Sequence, residues 1–263
     1  MPLTLVVFHA HPDDEAIATG GTMAKAAAAG HRVVLVVATR GEEGEVAEGF
    51  LESGEELWQR RVAETQRSAE ILGVARVEFL GYRDSGMMGT PTNDHPDAFW
   101  QADVDEAAGR LAAILDQEGA HVLTCYDDHG NYGHPDHIQV HRVGVRAGDL
   151  AGTPKVYEAT MDRDHLIKLM AEAPPEMRPP DYDPSFFDEF GTPADDITTN
   201  VDILDHVKAK REAMAAHESQ ISETHFFLAM PDDVFAMAFG TEWFILRSAG
   251  AKVTETDLFA GLT

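Results

Sequence analysis

Cysteine is almost absent from this sequence, and its scarcity excludes two kinds of site. Cys125 is the single cysteine among 263 residues, so the chain cannot build an internal disulfide framework, which fits a reducing compartment. Zinc sites made of several thiolates are excluded as well. A transition metal bound by this chain would therefore need histidine and carboxylate ligands.

Positive charge and long apolar runs are also scarce. The chain has 20 Lys and Arg residues against 46 Asp and Glu residues, a net charge of -26. Such a field repels nucleic-acid phosphates and anionic membrane surfaces, so we expect neither as a partner. No apolar run approaches the roughly 18 residues of a membrane helix, and no leader-like segment precedes Leu3. We expect a cytoplasmic protein, for which a homo-oligomer is compatible with the sequence.

The first 160 residues alternate between strand and helix patterns. The first two strand segments contain continuous apolar runs, which are typical of strands covered on both faces in a parallel sheet. We therefore predict an α/β fold with a doubly wound, mainly parallel, Rossmann-like sheet and helices on both faces. The predicted strands are 3–9, 32–38, 76–80, 121–125 and 155–159, and the predicted helices are 15–29, 55–72, 102–117 and 134–147.

The pattern is weaker in the last 100 residues. Several prolines between residues 173 and 200 predict a surface loop. A helix is predicted at 204–221 and a strand at 243–246. Because no linker is recognisable, we predict one domain over 1–263, with the Rossmann-like core in 1–160.

Two similar tetrads stand at predicted strand-to-helix junctions. His11-Pro12-Asp13-Asp14 follows the first strand, and His134-Pro135-Asp136-His137 follows the fourth. A parallel sheet brings such junctions to the same edge, where ligands bind. Helix capping by acidic residues would explain one aspartate, but neither the histidines nor the second tetrad. The tetrads therefore indicate a metal site that activates water.

Zinc catalysis needs about three protein ligands and an open position for water. His11, Asp14 and one histidine of the second region meet this need, which leaves Asp13 as a general base. Spacing alone also allows Asp13 as the ligand and Asp14 as the base. It leaves the second-region ligand open as well, because three histidines share one helix face. These are His134, His137 and His141.

The two motifs resemble the signature motifs of the PIG-L/LmbE-like deacetylases. The resemblance rests on His11-Pro12-Asp13-Asp14-Glu15 and on the segment 132–137, Tyr-Gly-His-Pro-Asp-His, and it covers the chain up to about residue 150. Members of that family are zinc-dependent enzymes that remove an acyl group from N-acetylglucosamine-type amines. The pair of motifs carries the resemblance, since a tripeptide such as His95-Pro96-Asp97 recurs by chance.

The resemblance implies a role for each motif residue. The implied zinc ligands are His11, Asp14 and His137, with Fe²⁺ as an alternative metal that would accept the same ligands. Asp13 would be the general base. The resemblance also implies three catalytic residues in the second motif. His134 would be protonated and would stabilise charge or donate a proton, and Asp136 would hold the orientation and protonation of that histidine. Tyr132 would polarise the substrate carbonyl or its oxyanion.

Three further segments look most like the branch of the family that acts in mycothiol metabolism. They are 41–46, Arg61 with Glu64, and 83–87. By this resemblance Arg61 and Asp84 would contact sugar hydroxyls, and Met87 would line the pocket. An ion pair with Glu64 is an equally good interpretation for Arg61. For Asp84, formation of a turn before Ser85-Gly86 is as good an interpretation as sugar contact.

The function implied is a zinc-dependent N-deacetylase of an N-acetylglucosamine-type glycoside, such as N-acetylglucosaminyl-inositol. An enzyme like the mycothiol S-conjugate amidases is the first alternative, and a noncatalytic sugar- or metal-binding relative is the second. Residues 16–19, Ala-Ile-Ala-Thr, lack a lysine associated with the amidases, which favours a deacetylase. The intact set of motif residues argues against a noncatalytic relative. By the same resemblance, residues 161–263 would form a variable region covering a small amino-sugar substrate.

Overall fold

A seven-stranded sheet lies at the centre of the computed structural model, which describes residues 1–172, 190–247 and 253–263. The strand order is β3-β2-β1-β4-β5-β7-β6. Strands β1 to β5 run parallel, whereas β7 is antiparallel to β5 and to β6. The strands are β1 Thr4–His9, β2 Arg32–Val37, β3 Arg76–Phe79, β4 Val122–Tyr126, β5 Lys155–Thr160, β6 Thr199–Asp202 and β7 Thr241–Leu246. The predicted α/β, mainly parallel sheet is confirmed.

Helices pack around this sheet in two groups. Helix α4 packs against α6, while α2 and α3 pack against α8. The helices are α1 Asp14–Ala18, α2 Gly20–Ala28, α3 Leu57–Leu72, α4 Val104–Glu118, α5 Gly130–Gly133, α6 Pro135–Ala151, α7 Arg163–Glu172, α8 Val207–Ala215, α9 Phe226–Ala229 and α10 Asp232–Phe239. Because helices cover the central strands, all of β1 is buried, as its continuous apolar run predicts.

The winding of the sheet reverses between β1 and β4. These two strands are neighbours, with β2 and β3 on one side and β5 on the other. In open α/β sheets such a reversal opens a crevice at the carboxyl ends of the strands, where ligands bind. Both tetrads follow these two strands, so the topology brings them together.

The predicted single helix over 15–29 is wrong, because the chain breaks at Thr19, where φ is -135°. The Thr19 hydroxyl lies 2.8 Å from His9 Nε2 and donates to the Glu15 carbonyl. The Glu242 carboxylate then accepts from the N–H groups of Gly21 and Thr22, each at 2.8 Å. These contacts satisfy the start of a second helix, so α1 and α2 replace one long helix.

The C-terminal predictions are only partly right. Of the predicted loop at 173–200, residues 173–189 lie outside the described part of the chain, and β6 begins inside the loop at Thr199. The helix predicted at 204–221 starts with a 3₁₀ turn and ends at Ala215, beyond which the His217 side chain is buried against Glu15. The strand predicted at 243–246 begins two residues earlier. Helices α7, α9 and α10 were not predicted.

Among the described residues, no helix combines the length and the apolar character needed to cross a membrane.

Candidate active site

The Asp14 carboxylate lies between the two motifs. Its Oδ2 atom is 3.4 Å from His11 Nδ1 and 3.4 Å from His137 Nε2. The His11 backbone N–H donates to the same oxygen at 2.8 Å. Asp14 is the first residue of α1 and His137 is in the first turn of α6. One carboxylate oxygen therefore joins the ends of β1 and β4.

This arrangement fits a divalent metal. Both ring nitrogens of His137 are buried and have no hydrogen-bond partner among the described residues. Unpaired buried polar atoms are unfavourable, so this ring is suited to a partner that the chain does not supply. Two ligand atoms bonded at ~2.1 Å to one tetrahedral cation lie about 3.4 Å apart. The spacings to Asp14 Oδ2 match that value.

A second set of possible ligands overlaps the first. Nitrogen atoms of His11, His134 and His137 all lie within 4.8 Å of one another. His134 Nδ1 accepts a hydrogen bond from the Asp136 backbone at 3.1 Å, so the neutral ring carries its proton on Nε2, which is then a donor and not a metal ligand. His141 points elsewhere, with Nδ1 3.0 Å from the Tyr126 carbonyl. The geometry therefore favours His137, whose ring nitrogens have no hydrogen-bond partner among the described residues, over His134 and His141 as the ligand from the second region.

Carboxylates lie behind His11 on the side away from Asp14. His11 Nε2 is 3.1 Å from Asp136 Oδ2 and 3.4 Å from Asp84 Oδ1. Asp136 is fully buried and accepts from the backbone N–H and the hydroxyl of Ser85. A carboxylate that orients a histidine in this way is a common second layer around a protein-bound metal.

The environment of His11 is strongly negative. Burial disfavours its charged form, but the Asp84 charge and hydrogen bonds to Asp136 and Asp14 raise the pKa of His11 well above its ordinary value. Burial likewise disfavours the charged form of Asp14, yet His137 and His11 hold its pKa well below the usual range. A site that stabilises positive charge this strongly suits a cation.

Asp136 contacts a different histidine from the one implied by the family resemblance. Its carboxylate orients His11, and only its backbone N–H reaches His134. Burial and the nearby charges of His11 and His137 lower the pKa of His134 to about 3. This lowered pKa favours the neutral form of His134, with its tautomer set by the backbone bond to Nδ1; the protonated form implied by the resemblance stays a prediction.

Asp13 has a strained backbone and a half-buried carboxylate. Its φ of 99° lies in a region that residues with a side chain rarely adopt. Its N–H donates to Glu15 Oε2 at 3.0 Å, and its Oδ2 lies 3.3 Å from the Arg61 guanidinium. Burial raises the pKa of Asp13 to about 6, with Arg61 opposing and Asp14 reinforcing the shift. A carboxylate of this kind is suited to accept a proton near neutral pH.

Arg61 is buried beside Asp13 rather than on the surface. Its guanidinium donates to the carbonyls of Gly41 at 2.8 Å and Pro12 at 2.6 Å. Glu64 instead accepts from the backbone and hydroxyl of Ser219. The alternative ion pair between Arg61 and Glu64 is therefore wrong, and Arg61 positions Asp13 whether or not it also contacts substrate.

Asp84 and Met87 lie in the loop that follows β3. Asp84 Oδ1 accepts from Gly86 N–H at 2.8 Å, which forms the predicted turn. Its Oδ2 accepts from Glu43 N–H at 3.2 Å, so this carboxylate also ties the loop at 41–46 to the site. Met87 is 52% exposed. Substrate contact by these two residues stays a prediction.

Tyr132 lies at the open side of the histidine cluster. Its ring centroid is 4.9 Å from that of His137 and 6.3 Å from that of His134, and the residue is 45% exposed. Burial of its inner part and the charge of Asp14 raise the pKa of the Tyr132 hydroxyl. The hydroxyl is therefore protonated at neutral pH and can donate a hydrogen bond.

The sequence did not identify three residues that support the first motif, namely Ser68, His217 and Tyr126. Glu15, fully buried, accepts from the Ser68 hydroxyl and from His217 Nε2, both at 2.6 Å. The Tyr126 ring stacks on His137 with a centroid distance of 4.5 Å, and its hydroxyl lies 2.7 Å from His9 Nδ1. Glu15 and His9 were recognisable as neighbours of the motif. Their partners lie 53, 202 and 117 positions away, so no local pattern points to them.

Comparison with known proteins finds the same family as the two motifs indicate. Residues 6–148 match the family described as PIG-L: GlcNAc-PI de-N-acetylase. A protein of Thermomonospora curvata, named 1D-myo-inositol 2-acetamido-2-deoxy-alpha-D-glucopyranoside deacetylase, is 42% identical over 98% of this chain and 96% of its own length. A Nocardiopsis dassonvillei protein of the same name is 43% identical over 98% of this chain and 100% of its own length.

A solved structure supports the fold. N,N'-diacetylchitobiose deacetylase from Pyrococcus horikoshii superimposes with a TM-score of 0.56 at 24% sequence identity, covering 92% of this chain and 83% of that one. The matched family region contains both tetrads, and the relatives align over nearly the whole chain. The chain therefore belongs to the PIG-L family, as the two motifs predict.

Proposed function

We propose that this protein is a metal-dependent N-deacetylase that hydrolyses the acetamide of N-acetylglucosaminyl-inositol or a close glycoside. The names of its relatives support this substrate class. The observation that carries the chemistry is the position of Asp14 Oδ2, 3.4 Å from a nitrogen of each motif, next to a base with a pKa of about 6.

The proposed ligands are His11 Nδ1, Asp14 Oδ2 and His137 Nε2. Zn²⁺ is the proposed metal, and Fe²⁺ accepts the same donor set. When bound, the cation supplies the positive charge that makes water nucleophilic near neutral pH and polarises the amide carbonyl. The Asp136 carboxylate, by accepting from His11 Nε2–H, leaves Nδ1 of that ring free to coordinate.

Asp13 is the proposed general base. As the water oxygen bonds to the amide carbon, the Asp13 carboxylate takes the water proton. The contact with Arg61 and the bond from Asp13 N–H to Glu15 hold this carboxylate in place. The C–N bond then breaks, the leaving nitrogen takes a proton from Asp13 or His134, and the products are acetate and the free amine.

Tyr132 and His134 act on the charge that develops at the carbonyl oxygen. The protonated Tyr132 hydroxyl donates to that oxygen in the transition state, an effect worth about 3–4 kcal/mol for one well-placed donor. His134 is neutral in the free site, and its Nε2 faces away from the Asp136 backbone bond. It therefore acts as a hydrogen-bond donor or as a relay for the proton of Asp13.

Arg61, Asp84 and Met87 are the proposed substrate-contacting residues. Support comes from position: Arg61 and Asp84 adjoin Asp13 and His11 respectively. Buried sugar hydroxyls need such partners. We also propose one domain, since β6 and β7 complete the sheet of residues 1–160, and a cytoplasmic location, since the single cysteine fits a reducing compartment.

The test is product release by purified protein of known metal content. Zn²⁺-loaded protein should release acetate from N-acetylglucosaminyl-inositol faster than it cleaves a mycothiol S-conjugate. Asp13→Ala should bind metal and fold but release no acetate. Faster conjugate cleavage would identify an amidase, and absence of both activities in metal-loaded wild type would contradict the proposal.

A further inference from the structure

The segment between β4 and α6, which includes α5, has a non-helical and unfavourable backbone immediately before Tyr132. Asn131 has φ 62° and ψ -63°, close to the γ-turn values of about 75° and -65° that are rare and strained. Its neighbour Gly130 is also at positive φ. A residue with a side chain keeps such a conformation only where its surroundings enforce it.

Asp127 holds the N–H side of Asn131. Its Oδ1 accepts the Asn131 N–H at 2.7 Å, and its Oδ2 accepts the Thr160 hydroxyl at 2.7 Å. Asp127 is 1% exposed, so both bonds are shielded from water. Thr160 is the last residue of β5, which ties this carboxylate to the sheet.

Gly191 holds the carbonyl side of Asn131. Its N–H donates to the Asn131 carbonyl at 3.1 Å. Arg163 donates to the Gly191 carbonyl at 2.7 Å, and Thr192 N–H donates to the Met161 carbonyl at 2.8 Å. Only glycine fits here, because φ is 61° and a Cβ would lie 2.4 Å from the Met161 oxygen.

We propose that Asp127, Thr160 and Gly191, here called the Asn131 clamp, are positioning residues for Tyr132. The Asn131 clamp hydrogen-bonds both the N–H and the carbonyl of Asn131 and so directs the Tyr132 peptide toward His137. Tyr132 is 45% exposed, and the rings of His137 and His134 pack on only part of its ring, so the backbone before it contributes to its position. An oxyanion donor works only when it is already in place, so its precision comes from this backbone. The inference rests on the proposed role of Tyr132.

Two matched glycine variants test the Asn131 clamp. Gly191→Ala places a Cβ against the Met161 carbonyl oxygen and so displaces the backbone at this position. Gly152→Ala is the matched control, because Gly152 has a nearly equal φ of 60° but open space where the Cβ would lie. Gly191→Ala should lower kcat for acetate release by about 10- to 100-fold, with KM within about twofold. Gly152→Ala should leave both near wild type. Equal kcat values for the two variants would overturn the inference.

A double-mutant cycle separates positioning from general loss of structure. In a Tyr132→Phe background, Gly191→Ala should have little further effect, because the hydroxyl it positions is gone. If the two effects multiply instead, the Asn131 clamp does not act through Tyr132. Asp127→Ala should behave like Gly191→Ala, and Asp127→Asn, which keeps an acceptor for Asn131 N–H, should regain most of the kcat. Equal kcat losses in these two Asp127 variants would also overturn the inference.

Hydrogen exchange in metal-free protein tests the Asn131 clamp without catalysis. Peptides covering residues 128–134 should exchange faster in Gly191→Ala than in Gly152→Ala; equal protection would contradict the inference. Wild type without acetate release would instead contradict the proposed function and leave this result standing.

Discussion

The two motif regions reach the same edge of the sheet but are held there by different means. Around the first motif, buried charged and polar side chains from distant parts of the chain hold the residues in place: Arg61 reaches Asp13, and Ser68 and His217 reach Glu15. Around the second motif the local backbone contributes more, through three residues at positive φ and a proline at the start of α6, together with the stacked Tyr126 ring and the Asp127 carboxylate that accepts the Asn131 N–H.

This difference separates stability from catalysis. A buried charge that loses its partner is strongly destabilising, so changes in the layer behind the first motif should lower the free energy of unfolding. A loosened backbone turn leaves the core intact, so changes around the second motif should lower the rate. The four predictions below test this contrast, beginning with the metal that joins both regions.

The largest expected effect is that of His137→Ala. This variant should fold, bind less than one equivalent of Zn²⁺ and release acetate at the background rate, because His137 is the proposed ligand from the second motif. Elemental analysis after gel filtration measures the metal. His141→Ala, on the same helix but directed at the Tyr126 carbonyl, is the control and should keep its metal. Metal loss in both variants would contradict the ligand assignment.

Asp13→Asn should have the second-largest effect on acetate release. Removing a general base lowers kcat by about 10²- to 10⁴-fold, while the metal stays bound because Asp14 supplies the ligand oxygen. Steady-state acetate release with measured metal content checks this. Asp128→Asn changes a carboxylate that is 82% exposed and serves as the control. Loss of metal in Asp13→Asn would instead favour the mirrored assignment, with Asp13 as the ligand.

His217→Ala tests the charged layer behind the first motif. It leaves Glu15 buried without its cationic partner and should reduce the free energy of unfolding by about 3–5 kcal/mol. Urea unfolding of metal-free protein measures this. His217→Gln keeps a donor near Glu15 and should lose less. Equal stability of wild type and His217→Ala would show that the pair does not support the fold.

A pair of serine variants gives the smallest expected effects. Ser68→Ala removes one hydrogen bond to Glu15 and should lower stability by about 1.5 kcal/mol, with metal affinity unchanged. Ser85→Ala removes a bond to Asp136 behind His11 and the acceptor of the Trp100 N–H, so it should lower stability by a similar amount and also weaken metal binding by about tenfold. Weaker metal binding in Ser68→Ala but not in Ser85→Ala would refute the separation of roles.

The parallel core and the meeting of the two motifs were predictable for a physical reason. Residues 33–37 are continuously apolar, and 122–126 are mostly apolar and all buried, because both faces of their strands are covered. The strand-to-helix junctions of a parallel sheet share one edge. Strand β6 alternates buried and exposed residues over only four positions. Such a short edge strand carries too weak a pattern to predict.

The unpredicted parts of the site depend on contacts between residues far apart in the chain. The helix break at Thr19 requires Glu242, 221 positions after Gly21, and the buried pair of Glu15 requires His217. The lowered pKa of His134 arises from its burial and from the neighbouring charges of His11 and His137, whose rings the fold brings against it. No local sequence pattern predicts these three features, because the residues of each one meet only in the folded protein.

Zinc titration of metal-free protein by calorimetry tests most directly the claim that Asp14 joins the two motifs around one cation. Wild type should bind one equivalent. Asp14→Asn should bind at least about tenfold more weakly, whereas His134→Gln should bind like wild type. Wild-type affinity in Asp14→Asn together with loss of binding in His134→Gln would contradict the claim and identify the three histidines as the ligands.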